Sequence, residues 1–295
     1  MRNTKSWIDT LWVLVVLLTV VRLATTAFSP SLTIPVVMAT AVFALIHGAL
    51  RYRWSGVLVF LVICLVVSNI LENTSILTGF PFGHYHYTSG PKIFLVPWYI
   101  GLSYFATAYL AWTVAIVLIG DVRRASSRMT TVAVPVIGAA VMVMWDLTFD
   151  PAASTIKQFW IWEQGGGYFG VPLTNYVGWF FTVYVFLQLF ALFVRFGKVA
   201  DAESLALPSS YYAQAVISYA VVGLTAVLAY LVFSGNTQVT DAAGVVWQTR
   251  SITEAEATVS IFTMIFVSVL AGMKLVQASA GVRQTSLEGR TGIAA

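Results

Sequence analysis

The stretch GVLVFLVICLVVSNILENTSILTGFPFGHYHY, residues 56–87, sets an apolar run directly against a carboxylate, two histidines and four aromatic rings. Its first half is long and apolar enough for a helix to cross the ~30 Å hydrocarbon core of a bilayer. Its second half carries more chemistry than a surface loop needs. The fold therefore follows from the first half, and the functional question from the second.

Composition extends that reading to the whole chain. Of 295 residues, 59% are hydrophobic and 9% charged, with a mean hydropathy of +0.84. Lipid gives backbone N–H and C=O groups no partners, so spanning segments must be helices. The short segments of alternating polarity that mark a membrane β-barrel are absent. Eight candidate spans follow, at about 10–28, 32–50, 55–72, 96–119, 130–149, 175–196, 212–233 and 258–277. The predicted fold is an all-α polytopic transmembrane helix bundle of about eight spans. Residues 1–278 form its single helical domain and 279–295, in a stretch rich in Gly, Ser and Thr, a flexible C-terminal tail. Ser29-Pro30 punctuates the first connection, and Pro135 is placed to bend the fifth span. No small-x-small site follows LWVLVVLLTVV at 11–21, which reads as an uncleaved first span.

The basic residues orient the bundle. With the N-terminus inside, Arg2, Lys5, Arg51, Arg53, Arg123, Arg124, Arg128, Arg195, Lys198, Lys274, Arg283 and Arg290 all fall on the inner side. Only Lys92, Lys157 and Arg250 fall outside, with Arg22 left in the first span. The positive-inside rule then predicts a multi-pass cell-membrane protein with both termini cytoplasmic. The net charge of +4 sits at segment ends rather than in one patch, so a nucleic-acid partner is not expected. Cys64 is the sole cysteine, which excludes an intramolecular disulfide and a thiolate metal cluster. GxxxxGK does not occur, and the one GxGxxG match, GGGYFG at 165–170, falls in a loop between membrane spans rather than at a strand-to-helix turn of a βαβ unit, so nothing indicates a nucleotide cradle.

That topology gathers polar residues at one depth. Glu72 closes the third span, Asp146 and Asp150 end the fifth in VMVMWDLTFDP, and Asn175 opens the sixth in GVPLTNYVGWF. An unpaired carboxylate in lipid is costly, so such residues face a protein interior or a cavity. Asp146 and Asp150 are four apart and share a helix face if the helix runs through both. Close together in a dry cavity, one of them would keep its proton, giving a donor beside a carboxylate able to orient water. Each residue also has a plainer role open to it. Asp150 before Pro151 suits a turn, Glu72 can accept bonds from a neighbouring span, and Asn175 can cap its helix.

His84 and His86 alternate with Tyr85 and Tyr87, so an extended backbone puts the histidines on one face and the tyrosines on the other. Contacts within an ordered loop and metal ligation are both open to the histidines; their spacing matches no compact ligand signature, and no metal is expected. Pro81 with Gly83, and Gly165 to Gly167, suit tight turns in the two polar loops. TEAEAT at 253–258, in the third loop, reads as a solvated helix start with acids at the positive end of the dipole. Rings crowd the same connections, among them Phe80, Phe82, Tyr85, Tyr87, Trp98, Phe159, Trp160, Trp162, Trp179 and Phe180. An interfacial belt explains many of them, and a pocket for a long apolar or conjugated molecule explains why they sit with the acids.

The run ENTSILTGFPFGHYHYTSGPKIFLVPWYIGLSYFATAYLAW, followed by WDLTFDP and WIWEQGGGYFGVPLTNYVGWF, resembles membrane carotenoid biosynthesis proteins. That group includes carotenoid 1′,2′-hydratase and bisanhydrobacterioruberin hydratase. The likeness covers about residues 60–198 closely and the remainder through span count. It implies water addition to the terminal C1=C2 double bond of an acyclic C40 or C50 carotenoid, leaving a tertiary alcohol. The residues carried within the matching motifs are Glu72, His84, Tyr85, His86, Tyr87, Asp146, Asp150, Asn175 and Trp179.

Hydrating such an alkene requires a positioned acid, a stabilised tertiary cation and a base for the attacking water. Asp146 is the first candidate acid and Glu72 the next, with Asp150, His84 or His86 as water partner. Phe82, Tyr85, Tyr87, Trp98, Asn175 and Trp179 are the candidate substrate-binding residues. The addition is redox-neutral and no cofactor is expected. Expected partners are the carotenoid or a related polyprenoid, membrane lipid and other carotenoid biosynthesis enzymes. A carotenoid cyclase would use the same protonation while excluding water, and a noncatalytic carotenoid-binding protein would use the rings alone. A proton-coupled transporter would hold its acids nearer the midplane and favour internal repeats.

Overall fold

The computed structural model describes residues 2–28, 33–197, 207–233 and 235–291; Ser29-Pro30 and Lys198 lie outside them. Helix α1 spans Arg2–Phe28 and α2 spans Thr33–Thr78. Within α2, Arg53 takes φ 57° and ψ 169°, which breaks it into two arms that match the second and third predicted spans. Positive φ is unfavourable for a residue with a Cβ, so neighbours must hold the corner. They do so with a buried ion pair between Arg51 and Asp121 and a 2.8 Å bond from Trp112 Nε1 to Tyr52 Oη.

Helices α3 (Trp98–Ile119), α4 (Arg128–Pro151), α5 (Leu173–Phe196) and α6 (Ser209–Val232) follow. Ser127 caps α4 by accepting from Thr130 N at 3.0 Å, and Pro135 lies inside that helix. The last span is α7 (Thr249–Ser260), a π-helical turn at Ile261–Ile265 and α8 (Phe266–Thr291), run together. Among the described residues, seven helices are thus long and apolar enough to cross a membrane, one of them long enough to cross twice. The fold is an all-α polytopic bundle consistent with about eight spans.

Two expectations change. The last span begins at Thr249 rather than near 258, so TEAEAT lies inside the helix instead of at a solvated start. Helical backbone also continues to Thr291, into the stretch set apart from the helical domain as a flexible tail. Both stretches are polar, and hydropathy alone cannot follow a helix once it leaves lipid.

Helix α3 is central. Of its most apolar window 67% is buried, against 22% for α1. Trp112, Tyr104 and Phe105 meet Phe60 of α2 and Phe186 and Phe190 of α5 in the core. Gly138 lets α4 and α5 close, since a Cβ there would stand 2.7 Å from Leu187 Cδ1. Outward faces carry exposed Val13, Val62 and Leu224, as lipid contact requires.

The connections at one end form a cap. Strand β1 (Tyr85–Tyr87), from the loop after α2, pairs antiparallel with β4 (Trp160–Trp162), from the loop after α4. Their register sets Tyr85 opposite Trp162, His86 opposite Ile161 and Tyr87 opposite Trp160. Strands β2 (Lys92–Ile93) and β3 (Val96–Pro97) make a small hairpin between them in sequence. A second hairpin, β5 (Gln238–Thr240) and β6 (Val246–Gln248), joins the cap through the Phe169 and Trp247 rings, 5.3 Å apart. All three loops therefore meet at one end of the bundle. That pairing is what an even number of spans between them demands.

Candidate active site

Directly beneath the cap lie Glu72, Asp146, Asp150 and Asn175, exposed by only 3%, 3%, 2% and 1%. Glu72, near the end of α2, collects three phenols. Tyr104 Oη donates to Oε1 at 2.6 Å, while Tyr87 donates to Oε2 at 3.0 Å and Tyr85 makes a short bond to that same oxygen. Strand alternation explains the arrangement: within β1 both tyrosines point inward and His86 points out. The Tyr85 and Tyr87 hydroxyls lie outside the spans, and burial followed by the Glu72 charge pushes both well above the usual tyrosine range. They remain donors.

The aspartates share one amide. Asn175 Nδ2 donates to Asp146 Oδ2 at 2.8 Å and to Asp150 Oδ2 at 2.6 Å. This is possible because α4 stays helical through both residues, so the i, i+4 pair does occupy one face. Trp160 Nε1 donates to Asp150 Oδ1 at 2.8 Å. Asp150 is thus a bonded interior acid rather than a turn former. Asn175 turns its side chain to the carboxylates and makes no cap bond to α5.

Among the described residues, the salt bridges do not include any of the three acids. Neutral donors alone meet Glu72, Asp146 and Asp150. A buried carboxylate compensated in this way is held by geometry rather than by an opposite charge.

Rings wall the polar group. Tyr104 stacks on Trp179 at 4.4 Å and 9°, Trp179 meets Trp145 at 5.6 Å, and Phe82 lies 6.4 Å from Trp179. Trp162 packs on Tyr85 at 4.7 Å. The turn bearing Phe82 wedges against α5, where Gly178 leaves room: a Cβ would come within 2.6 Å of the Pro81 carbonyl oxygen. Phe80, Phe159 and Phe180 are exposed and fit the belt reading instead.

Other expected site residues stand apart. His86 is exposed and pairs across the strands with Glu163 at 3.4 Å. His84 is partly buried and packs against Gly79, on the side of the strand away from the tyrosines. Trp98 is 44% exposed and contacts Tyr99 rather than the enclosure. No group of three or more His, Cys, Asp or Glu among the described residues is arranged to hold a metal.

Comparison with known proteins identifies the lineage of this arrangement. The family described as "Carotenoid biosynthesis protein" matches residues 12–241, which takes in every residue of the acid cluster just described. The chain belongs to the carotenoid biosynthesis protein family. A bisanhydrobacterioruberin hydratase from Haloarcula japonica is 35% identical over 123 residues, 41% of this chain. That match spans 40% of the relative's own length. No solved structure matches.

This carotenoid biosynthesis protein also uses residues that sequence reasoning passed over. Tyr104 looks like core or belt in an apolar helix; its depth on α3, level with Glu72, was the available signal. Glu256, part of TEAEAT, is 5% exposed, and its Oε1 accepts from Ala152 N at 2.7 Å in the π-helical turn Ala152–Ile156 that follows Asp150. Its neighbour Glu254 is exposed, as a solvated start would have it. Tyr168 in the cap feels the Glu256 charge, and burial with that charge raises its hydroxyl to about 12.

Proposed function

We propose that this protein adds water across the terminal C1=C2 double bond of an acyclic C40 or C50 carotenoid to give a tertiary alcohol. The observation that carries the reading is the Asp146–Asn175–Asp150 unit, two buried acids joined by one amide inside an aromatic enclosure. The likeness to a protein named for hydration of bisanhydrobacterioruberin supports it.

In this scheme Asp146 carries the proton and delivers it to C2 of the terminal isoprene unit. The developing tertiary cation at C1 faces electron-rich rings, Trp145 and Trp179 first, each contributing roughly 0.5–2 kcal/mol. A water molecule forms the C1–O bond and gives its proton to Asp150. Transfer of that proton back to Asp146 restores the starting state, with one water added and no change of oxidation level. Glu72, whose two oxygens are both engaged by phenols, holds Tyr85, Tyr87 and Tyr104 in place. Asn175 keeps the two acids in register for their separate tasks.

Pigment analysis in cells that make an acyclic carotenoid and this chain tests the reading. Hydration adds the mass of one water per modified end. A cyclised product has unchanged mass and altered absorption, and an unmodified pigment indicates binding or transport; either result rejects the proposal.

Both termini are proposed to be cytoplasmic, with the cap outside, on the support of the basic-residue distribution. Single cysteines introduced at Ser89 and at Gly167, next to Gly166 and open to solvent, in a Cys64-free variant should react with an impermeant reagent in intact cells. Labelling only after membrane disruption would reverse the orientation.

A further inference from the structure

Three polar atoms around the aspartate pair are buried and lack a protein partner: Asn175 Oδ1, Trp162 Nε1 and the Tyr176 hydroxyl. Their residues are exposed by 1%, 5% and 7%. Thr182 Oγ1, two turns further along α5, is also unpartnered, but these three are the ones that neighbour the aspartates. Trp162 and Tyr176 pack in one cluster with Tyr85 and Val171. The Trp162 indole N–H faces Asp150 without closing a hydrogen bond to it, and the Tyr176 hydroxyl lies within electrostatic reach of both aspartates. Asn175 already spends its amino group on those two acids.

The chemistry of the orphans is complementary. An indole N–H only donates, an amide oxygen only accepts, and a phenol does both. Water is the small ligand that uses all of these at once, and a buried water needs two to four such partners. A metal ion would be repelled by the indole N–H. A carboxylate would set one more acceptor against Asn175 Oδ1 and Asp150.

We propose that Asn175 Oδ1, Tyr176 Oη and Trp162 Nε1 form the seat of the reacting water beside Asp150. This rests on the hydration reading and deepens it by naming where the second substrate binds. Trp162 donates to one lone pair of the water, and the Tyr176 hydroxyl rotates off the other so that this second lone pair can form the C1–O bond. Asn175 and Asp150 take its two hydrogens, and the Asp150 bond becomes the proton transfer as the C1–O bond forms. The same seat then holds the oxygen of the new alcohol until it leaves.

The consequence is a partition that can be measured. A cation formed without a seated water returns a proton from C2 or from a C1 methyl group to the carboxylate and reverts to an alkene. In D2O, Asp146 delivers deuterium, so such reversals leave label in recovered carotenoid. Wild-type protein should give chiefly alcohol, singly labelled at C2. Tyr176→Phe removes only the hydroxyl; label in recovered carotenoid per alcohol formed should rise about tenfold or more, the loss expected for one positioned hydrogen bond. Trp162→Phe should move the ratio the same way, and it serves if the first variant does not fold. Carotenoid binding and detergent-stable yield should stay near wild type in the variant that is scored. An unchanged ratio in a folded variant, whatever its rate, overturns the water seat. A wild-type protein that yields neither alcohol nor label instead overturns the hydration reading.

Discussion

The two ends of this bundle bury polar groups in opposite ways. At the end away from the cap, His47 stacks on Tyr211 at 3.8 Å and satisfies both ring nitrogens. Its Nε2 faces the Tyr211 carbonyl at 2.9 Å, which can only accept, so that nitrogen carries the hydrogen and Nδ1 accepts from Tyr109 Oη at 2.5 Å. Beside it Arg51 meets Asp121, charge against charge. Of the atoms left over there, Arg51 Nε and Asp121 Oδ1 belong to a pair already neutralised, and Gln188 Oε1 and Gln214 Oε1 belong to amides that donate through their nitrogens to Thr131 and Ile8. At the cap end three acids have no cation, and the unpaired atoms cluster at one point. Burial alone therefore does not mark a functional site in a membrane; the manner of compensation does. One end is balanced to hold helices together; the other, on the function proposed above, would keep protons and a water molecule in play.

The largest effect that could break this contrast is at Asp146. Asp146→Asn keeps the size and removes the transferable proton, so single-turnover alcohol formation should fall on the order of 10²-fold or more while yield and pigment binding persist. Near-wild-type chemistry in folded protein would move the acid role to Glu72. At the opposite end the pattern should invert. Arg51→Ala strips one partner from a buried pair, a change worth roughly 3–5 kcal/mol when nothing compensates. Arg123, 3.3 Å from the same Asp121 oxygen, softens that loss. Detergent melting temperature should drop, yet the folded fraction should turn over at the wild-type rate; a rate defect at full stability would erase the distinction between the ends.

The smallest effects belong to the exposed histidine and to metal. His86→Ala loses one water-exposed contact to Glu163, so stability should change by no more than about 0.5 kcal/mol, with alcohol formation intact. Exhaustive chelation should likewise leave turnover unchanged. Loss restored by one particular metal would replace the acid-only scheme with a metal-assisted one.

The bundle was legible because each span announces itself locally, through about twenty apolar residues and basic flanks. Glu72, Asp146, Asp150 and Asn175 were legible for a related reason: topology turns position along a span into depth, and all four share a depth. What depth does not supply is azimuth. Tyr104 lies level with Glu72, but only the rotation of α3 tells that its hydroxyl reaches the carboxylate. The alternation in HYHY separates histidines from tyrosines without saying which set faces in; pairing with Trp160–Trp162 decides that. Glu256 was hidden by its neighbours, since Thr253, Glu254 and Thr258 make the segment look wet while one face of α7 packs against α4 and its π-helical turn. Tyr176 and Trp162 gave no signal beyond being aromatic, because an unpartnered hydroxyl or indole is defined by what fails to surround it.

The partners of the acids bear on how such a chain enters a membrane. Glu72 finds its phenols 13, 15 and 32 residues downstream, Asp150 its indole and amide at 10 and 25, and Asp146 the same amide at 29. Each carboxylate leaves the translocation channel just ahead of the loop or span that will satisfy it. The bonds of the opposite end are later: His47 waits 164 residues for Tyr211. During synthesis the groups most costly to strand in lipid are therefore matched within one additional span, so insertion can proceed span by span without a naked acid facing the bilayer. Moving α5 elsewhere in the gene order would preserve every contact of the finished protein and still leave Asp146 and Asp150 without their shared amide until that later helix is made.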